Sequence, residues 1–566
     1  MKLLRMPAVA GLLTSLFSSQ VALGLPHQHT IEDASTGAVA AESQECSTIG
    51  IDLLKAGGSA ADALVGTVLC VGVIGMYHSG IAGGGFMTVR GPNGTYDFID
   101  FRETAPAAST QDMYNNNTEL SELGGLASGV PGELRGLEHL HKTYGKLAWE
   151  DVVTPAVKLA RYGFRLNEDL YKAMNSATSG EDDFFVTDPN WAVDFAPNGT
   201  RLGLNDTITR KRYADTLEVI ANEGVDAFYT GAIANATISA VKKAGGIMTL
   251  EDLANYTIST PDPLSITYNG YKLTTGPAPC SGAVALSALK IVEGYKDFGE
   301  DVNLTTHRLD EAIRFAYAER TVLGDPDFVS GMKEYQEQMI SVNTAALIRR
   351  KITDSASHPV AYYDPSGIES LDTPGTSHIV AADKSGLAIS LTTTINLYFG
   401  SRVLVPETGI IMNNEMNDFS IPGSSNSFGY IPSEANYIRP GKRPLSSITP
   451  IIVDYPDGSL YISVGAAGGS RIITSTIQNV FNMLGLNLTA PEALKKPRLH
   501  DQLVPNTVSF EYSYDNSTAA YMKERGHNVT WVAEGQSTAQ ALRRLSNGTF
   551  EAAGEPRQKN SGGFAI

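Results

Sequence analysis

A threonine that follows a bare glycine at the entry to a strand can cut its own chain. Thr376 stands in that position, within Thr373-Pro374-Gly375-Thr376-Ser377-His378-Ile379-Val380. Its hydroxyl can attack the Gly375 carbonyl with little hindrance, and hydrolysis of the resulting ester leaves Thr376 as a new N-terminus. That residue then holds a nucleophile together with its own base, an α-amino group whose reference pKa is ~7.7–8.0. Taken alone, Pro-Gly-Thr is also an ordinary turn leading into a strand, so the groups around it must decide.

The elements needed to hold such a nucleophile are legible. The proline and glycine stop what precedes them, and the residues after Thr376 alternate with period two. They turn at Asp383-Lys384-Ser385-Gly386 and return as Leu387 to Thr394, a β-hairpin by pattern and turn chemistry. Thr394, at the end of the returning strand, is placed to hydrogen-bond the Thr376 hydroxyl; by itself it reads as a β-branched strand residue. The stretch 353–374 is polar and rich in Pro, Gly, Ser and Asp, a linker able to move once the chain is cut.

An amide hydrolase also needs an oxyanion site and a pocket for the rest of its substrate. Gly468 and Gly469 follow a strand, Leu460 to Val464, and precede a helix from Arg471 to about Gly485. Side-chain-free N–H groups at a helix start suit a developing oxyanion. Arg102, in Arg102-Glu103-Thr104-Ala105-Pro106, ends a predicted strand Asp97 to Phe101 and could be no more than half of a surface ion pair with Glu103. Asn396, Glu415 and Asp418 offer acceptors; Ser446 and Ser447 offer donors. Singly, residues 413–418 read as a polar turn and 445–447 as a strand start.

Together these pieces form an ordered set: Asn396 with Phe399-Gly400-Ser401, Asn413-Asn414-Glu415-Met416-Asn417-Asp418-Phe419, Arg443-Pro444-Leu445-Ser446-Ser447, and Gly465-Ala466-Ala467-Gly468-Gly469-Ser470. The set resembles the small subunit of the γ-glutamyltransferases (γ-glutamyl transpeptidases, or glutathione hydrolases), which are N-terminal-nucleophile hydrolases. The resemblance runs from about Glu45 to the C-terminus. It implies an α+β fold, the αββα sandwich of that superfamily, built from two chains of one self-cleaved precursor. Residues 1–24 would be a signal peptide, 25–375 the large subunit and 376–566 the small catalytic subunit, held as a non-covalent heterodimer. It implies that Thr376 attacks a γ-glutamyl amide such as glutathione and passes the glutamyl group to water, an amino acid or a dipeptide, with Thr394 orienting it. Gly468 and Gly469 would bind the oxyanion. Arg102, Ser446 and Ser447 would take the substrate α-carboxylate, and Asn396, Glu415 and Asp418 its α-ammonium; an arginine fork matches a carboxylate as a lysine cannot. No metal and no organic cofactor is implied. A cephalosporin or glutaryl acylase of the same fold is the alternative enzyme, although it has no use for acceptors of an α-ammonium. A non-catalytic secreted glycoprotein is the alternative from another class, and retention of Thr376 and Gly469 speaks against it.

Composition bounds the remainder. A formal charge of −18, from 61 acidic and 43 basic residues, argues against nucleic acid and anionic membrane as partners. Lys2 and Arg5, an apolar run from Met6 to about Leu16, and Ala22-Leu23-Gly24 form a secretory leader too short for a comfortable membrane span. Eleven Asn-x-Ser/Thr sequons from Asn93 to Asn547 agree with a secreted glycoprotein; a vacuolar lumen or a signal-anchored surface form are the other destinations. Three cysteines are too few for a disulfide scaffold. Cys46 and Cys70 flank the first helices and read equally as a bridge or as two buried thiols; animal members of the resembling family pair cysteines at matching positions, which implies the bridge and leaves Cys280 free. The glycines of 80–85 come between a helix and a strand, the wrong order for a dinucleotide fingerprint. His139 and His141, two apart, do not share a helix face and so do not suggest a zinc site. Ser281 lies outside any nucleophile elbow and reads as a helix cap.

Overall fold

Two six-stranded antiparallel sheets lie face to face, with helices over their outer surfaces. The computed structural model describes residues 34–180, 182–365, 375–423 and 432–566. The strands of the two sheets, in chain order, are β1 (Gly37–Ala41), β2 (Gly84–Arg90), β3 (Tyr96–Asp100), β4 (Leu264–Tyr268), β5 (Tyr271–Thr275), β6 (Gly375–Asp383), β7 (Ala388–Asn396), β8 (Ile451–Asp454), β9 (Leu460–Ala467), β10 (Thr538–Arg544), β11 (Phe550–Ala553) and β12 (Gly562–Ala565). The first sheet runs β12-β1-β6-β7-β2-β3 and the second β11-β10-β9-β8-β5-β4. Six helices bear on the site: α1 (Gln44–Lys55), α2 (Ala60–Ile74), α3 (Glu168–Ala177), α4 (Gly282–Glu293), α5 (Val302–Arg320) and α6 (Arg471–Leu484).

The central hairpin β6–β7 is buried along its whole length. Because side chains alternate across a strand, Ile379, Ala381, Ile389 and Leu391 pack with the α1–α2 side, whereas Val380, Ala382 and Ala388 join a small apolar cluster between the sheets. Nearer the strand entry the inter-sheet layer turns polar: His378 Nδ1 lies 2.9 Å from Thr392 Oγ1, and Ser390 donates to the Val464 carbonyl at 3.1 Å. The alternation seen in the sequence is thus a change between two buried environments, not between core and water. Burial drives the His378 imidazole down to a pKa of about 3, so it is neutral. On the far side α4, α5 and α6 cover the second sheet.

Both sheets are shared between residues before and after position 375. In the first, β6 pairs with β1 and β7 with β2; in the second, β8 pairs with β5. The αββα sandwich expected from the sequence is the fold observed.

Local expectations hold with small adjustments. Ser59 caps α2 through a reciprocal box with Asp62, and the helix stops at Ile74 where Gly75 follows. Ser281 sits at the first position before α4 yet makes no capping bond; its hydroxyl donates to the Ser446 carbonyl at 2.5 Å. Arg102 and Glu103 are fully buried, so the surface ion pair is excluded. Cys46 and Cys70 are disulfide-bonded, with Cα atoms 5.3 Å apart, joining α1 to α2. Cys280 is a buried free thiol, and burial pushes its pKa upward. No helix among the described residues is long and apolar enough to cross a membrane. The leader at 1–24 and most of the linker's C-terminal half lie outside the described residues.

Candidate active site

Thr376 occupies the second position of β6, directly across from Thr394 on β7. The two hydroxyl oxygens are 3.5 Å apart, Thr376 donating. Thr394 in turn donates to the Gly375 carbonyl at 2.5 Å and accepts from the Asn396 backbone N–H at 2.7 Å. In the intact chain the Thr394 hydroxyl is thus bonded to the carbonyl that immediately precedes Thr376. Gly375 is required by space: a Cβ there would lie 2.0 Å from the Asn396 carbonyl oxygen. Asn396 is held at φ 73°, a left-handed conformation that asparagine tolerates better than most residues. It is the last residue of β7, and it lines the cleft.

A cleft opens beside Thr376 and is lined by Arg102, Asn396, Glu415, Asp418, Ser446 and Ser447, together with Thr394 and Gly469. Arg102 leaves the end of β3 and sends a buried guanidinium to Glu415 and Asp418, pairing with one oxygen of each; its Nε donates to the Pro444 carbonyl at 3.3 Å. Burial works against its charge, but Glu415 and then Asp418 more than offset this and hold it protonated. Burial raises the Glu415 carboxyl to about 8 despite Arg102. Asp418 is raised for the same reason, again against the arginine. Glu103 lies behind them, pushed well above the usual carboxylate range by burial and by the Glu415 charge, and neither of its oxygens has a hydrogen bond among the described residues. One Glu415 oxygen is likewise unpartnered. A cluster with one strong cation, two closely paired carboxylates and spare acceptor capacity suits a zwitterion, whose ammonium and carboxylate enter together without changing the net charge.

The turn between β9 and α6 supplies donors. Gly468 and Gly469 have φ of 119° and 58°, both in the left-handed range. At Gly468 a Cβ would also meet the Gln536 carbonyl oxygen at 2.5 Å. Among the described residues neither N–H is taken by a backbone or side-chain acceptor. Gly469 lines the cleft, while Gly468 lines a second cavity that also reaches Thr376.

Sequence reasoning missed Arg320. This last residue of α5 donates from Nε to the Ser281 hydroxyl at 3.1 Å and from an Nη to the Ser447 hydroxyl at 3.2 Å, and it lines the cleft. It was indistinguishable in sequence from a solvated arginine at a helix C-terminus. Asn436 was missed too: it donates to the Asp418 carbonyl at 2.7 Å and accepts from the Leu445 N–H at 2.9 Å, fastening the two loops together. Away from this cleft, His307, Glu311 and His527 bring potential metal-ligand atoms within 4.8 Å of one another. The facing ring nitrogens of the two histidines are 2.8 Å apart, the separation of a shared proton. The other His307 nitrogen meets the Thr353 carbonyl at 2.8 Å, and the other His527 nitrogen lies 2.9 Å from Asp310.

Comparison with known proteins agrees with this geometry. The family model described as Gamma-glutamyltranspeptidase matches residues 46–565. A glutathione hydrolase proenzyme of Arthroderma benhamiae is 56% identical, over 94% of this chain and 93% of its own length. A glutathione hydrolase of Aspergillus flavus is 49% identical, over 94% and 90%. Among solved structures, a cephalosporin acylase from Bacillus halodurans superposes with a TM-score of 0.83 at 27% identity, covering 98% of this chain and 99% of that one.

Proposed function

The chain belongs to the gamma-glutamyltranspeptidase family, and from that premise we propose how its residues carry out the reaction. It is an enzyme, a glutathione hydrolase and γ-glutamyltransferase acting on γ-glutamyl compounds. The observation that carries the reading of the site is the cleft itself, which sets Thr376 beside Arg102, Glu415 and Asp418.

In our reading the precursor cuts itself between Gly375 and Thr376. The Thr376 oxygen attacks the Gly375 carbonyl, the C–N bond gives way to an ester, and water hydrolyses that ester. Residues 25–375 and 376–566 then remain associated because both sheets are laced from the two pieces. Once the Gly375 carbonyl has gone, the Thr394 hydroxyl is released to orient Thr376.

In turnover the substrate's α-carboxylate takes the Arg102 fork and the Ser446 and Ser447 hydroxyls. Its α-ammonium takes Glu415, Asp418 and Asn396. With the head group fixed, the γ-carbonyl lies one side-chain length away, at Thr376. The free α-amine accepts the Thr376 hydroxyl proton as Oγ attacks, and the oxyanion is met by the N–H groups of Gly468 and Gly469. The amine passes its proton to the leaving nitrogen, the amide C–N bond breaks, and a glutamyl ester remains on Thr376. Water or an acceptor amine then attacks the ester. Its proton goes to the α-amine and on to Thr376 Oγ as the C–O bond breaks.

A γ-glutamyl anilide and its glutaryl analogue, which lacks the α-ammonium, test this. The γ-glutamyl compound should be strongly preferred. Equal turnover of both by the wild-type protein would falsify the assignment of Glu415 and Asp418 and reopen the acylase alternative. For location, we read the leader at 1–24 and the sequons as directing the enzyme to a secretory route; N-terminal sequencing of the exported protein checks the leader.

A further inference from the structure

The cleft that receives the glutamyl group is only one of two spaces that meet at Thr376. The second, a cavity of about 300 Å³, is bordered by Tyr77, His78, Lys172, Gly468 and Gln536 as well as Thr376. Its position is informative. Thr376 and the Gly468 N–H are shared with the chemistry, so whatever is bonded to the far side of the scissile carbonyl emerges here. The leaving group of glutathione is a dipeptide ending in a free carboxylate, and an acceptor amino acid or dipeptide carries the same group.

Two cations border this cavity, and they differ in what already occupies them. Arg557 is spent: it pairs with Glu511 and Glu555 and donates to the Leu494 and Lys496 carbonyls at 2.7 and 2.8 Å. Lys172, on the exposed side of α3, makes no hydrogen bond or ion pair among the described residues. It feels the charge of Asp169, one turn back, but that carboxylate already accepts from the Asn560 backbone and side chain at 3.3 and 3.0 Å. The remaining acidic neighbour, Glu534, accepts from the Ser513 N–H.

We propose that this cavity holds the leaving dipeptide and the acceptor, and that Lys172 recognises their terminal carboxylate. The inference rests on the reading of Thr376 as nucleophile and extends it to the other half of the substrate. It makes Lys172 a specificity residue: it acts on which amines leave and arrive, through a compact, mobile ammonium that can follow carboxylates at different reach. The bonds made and broken are those of the transfer described above, with no added reactant.

The test compares substrates that differ only in that carboxylate. For the wild type, Lys172→Ala, Lys172→Glu and Lys172→Arg, kcat/KM is measured for glutathione and for a γ-glutamyl anilide, and transfer is measured to glycylglycine and to its C-terminal amide. In Lys172→Ala the glutathione-to-anilide ratio should fall about fivefold to twentyfold, as should the preference for glycylglycine over its amide. Lys172→Glu should lower both ratios further, and Lys172→Arg should restore most of them. Ratios within twofold of wild type in both Lys172→Ala and Lys172→Glu would overturn the assignment. Failure of the wild type to turn over the anilide is a different result: it would bring down the reading of Thr376 and the head-group cleft, and this inference with it.

Discussion

Two buried charged clusters span the same pair of chain segments, before and after residue 375, and they are built to opposite ends. One is Arg102 with Glu103, Glu415 and Asp418. The other is Arg314 with Asp310, Glu311, Asp501, His307 and His527. In both an arginine anchors carboxylates raised by burial, Glu415 to about 8 in the first and Asp310 to about 7 in the second. The difference lies in access. The first cluster lines the cleft beside Thr376, whereas no member of the second borders it. The second lies away from that cleft and is held internally: Arg314 reaches Asp501 at 2.7 Å and Asn506 at 2.6 Å, and the Tyr363 hydroxyl meets both Glu311 oxygens at 2.9 Å, although neither Asp310 oxygen has a hydrogen bond among the described residues. Burial and perturbed titration alone therefore do not single out the proposed binding site; what singles it out is charge beside a cavity that also reaches Thr376.

The sharpest break comes at Thr376, the nucleophile we propose for the first cluster. Thr376→Ala should remain a single chain of full length with activity reduced at least about a thousandfold, and Thr376→Ser should mature slowly. A denaturing gel and an anilide assay read both; two-chain processing of the alanine variant would sink the self-cleavage mechanism.

Within the first cluster, Asp418→Ala removes the partner we propose for the substrate ammonium, a loss on the order of 2–5 kcal/mol for a buried charge pair. That corresponds to a fall of roughly 30-fold to several thousandfold in kcat/KM. Arg102→Lys should also be costly, since a point charge cannot serve Glu415, Asp418 and an incoming carboxylate as a planar fork does. Ser446→Ala should cost less, about 0.5–1.5 kcal/mol, because no charge is stranded. All three should still be cut in two; an uncut Asp418→Ala chain would show that the cluster serves folding and not substrate.

The same operation on the second cluster should give a different result. Arg314→Ala strands Asp501 and Asp310 in the interior and should destabilise the protein by about 3–5 kcal/mol, read by urea unfolding. Its kcat per folded molecule should stay near wild type. A selective loss of kcat with unchanged stability would erase the contrast between the clusters.

Titration sharpens it further. Burial lowers His307 and His527 to about 4, so the stability they lend is present above their ordinary value of 6.5 and is lost as pH falls from there through 4. Asp310 is raised from 3.8 to about 7, so its contribution is fullest below 3.8 and disappears as pH rises through 7. The two slopes oppose each other between about pH 4 and 6.5. Asp310→Asn removes one of them and should make melting temperature climb more steeply with pH in that window. An unchanged slope would mean that the histidines and Asp310 do not titrate as placed. In the first cluster the raised Glu415 should make γ-glutamyl binding tighten as pH rises through neutrality, and Glu415→Gln should flatten that trend.

How much was legible follows the range of the interaction. The β6–β7 hairpin, the bare glycine before Thr376 and the Gly468-Gly469 turn are governed by backbone sterics and side-chain period over a few residues, so residue types specify them locally. The grouping of Arg102 with Glu415 and Asp418 became readable because the separated motifs together resemble a known family; no local rule joins residues 313 and 316 positions apart. Where no motif marked the partners, tertiary structure alone decided. It carried the end of α5 to Ser447 and made Arg320 part of the cleft, and it brought His527 to His307 across 220 residues. It also buried Arg102 and Glu103 where the sequence left a surface pair open. Whether a charge meets water or the protein interior depends on which distant segments cover it, and that solvation is a property of the packed fold and not of the residue type.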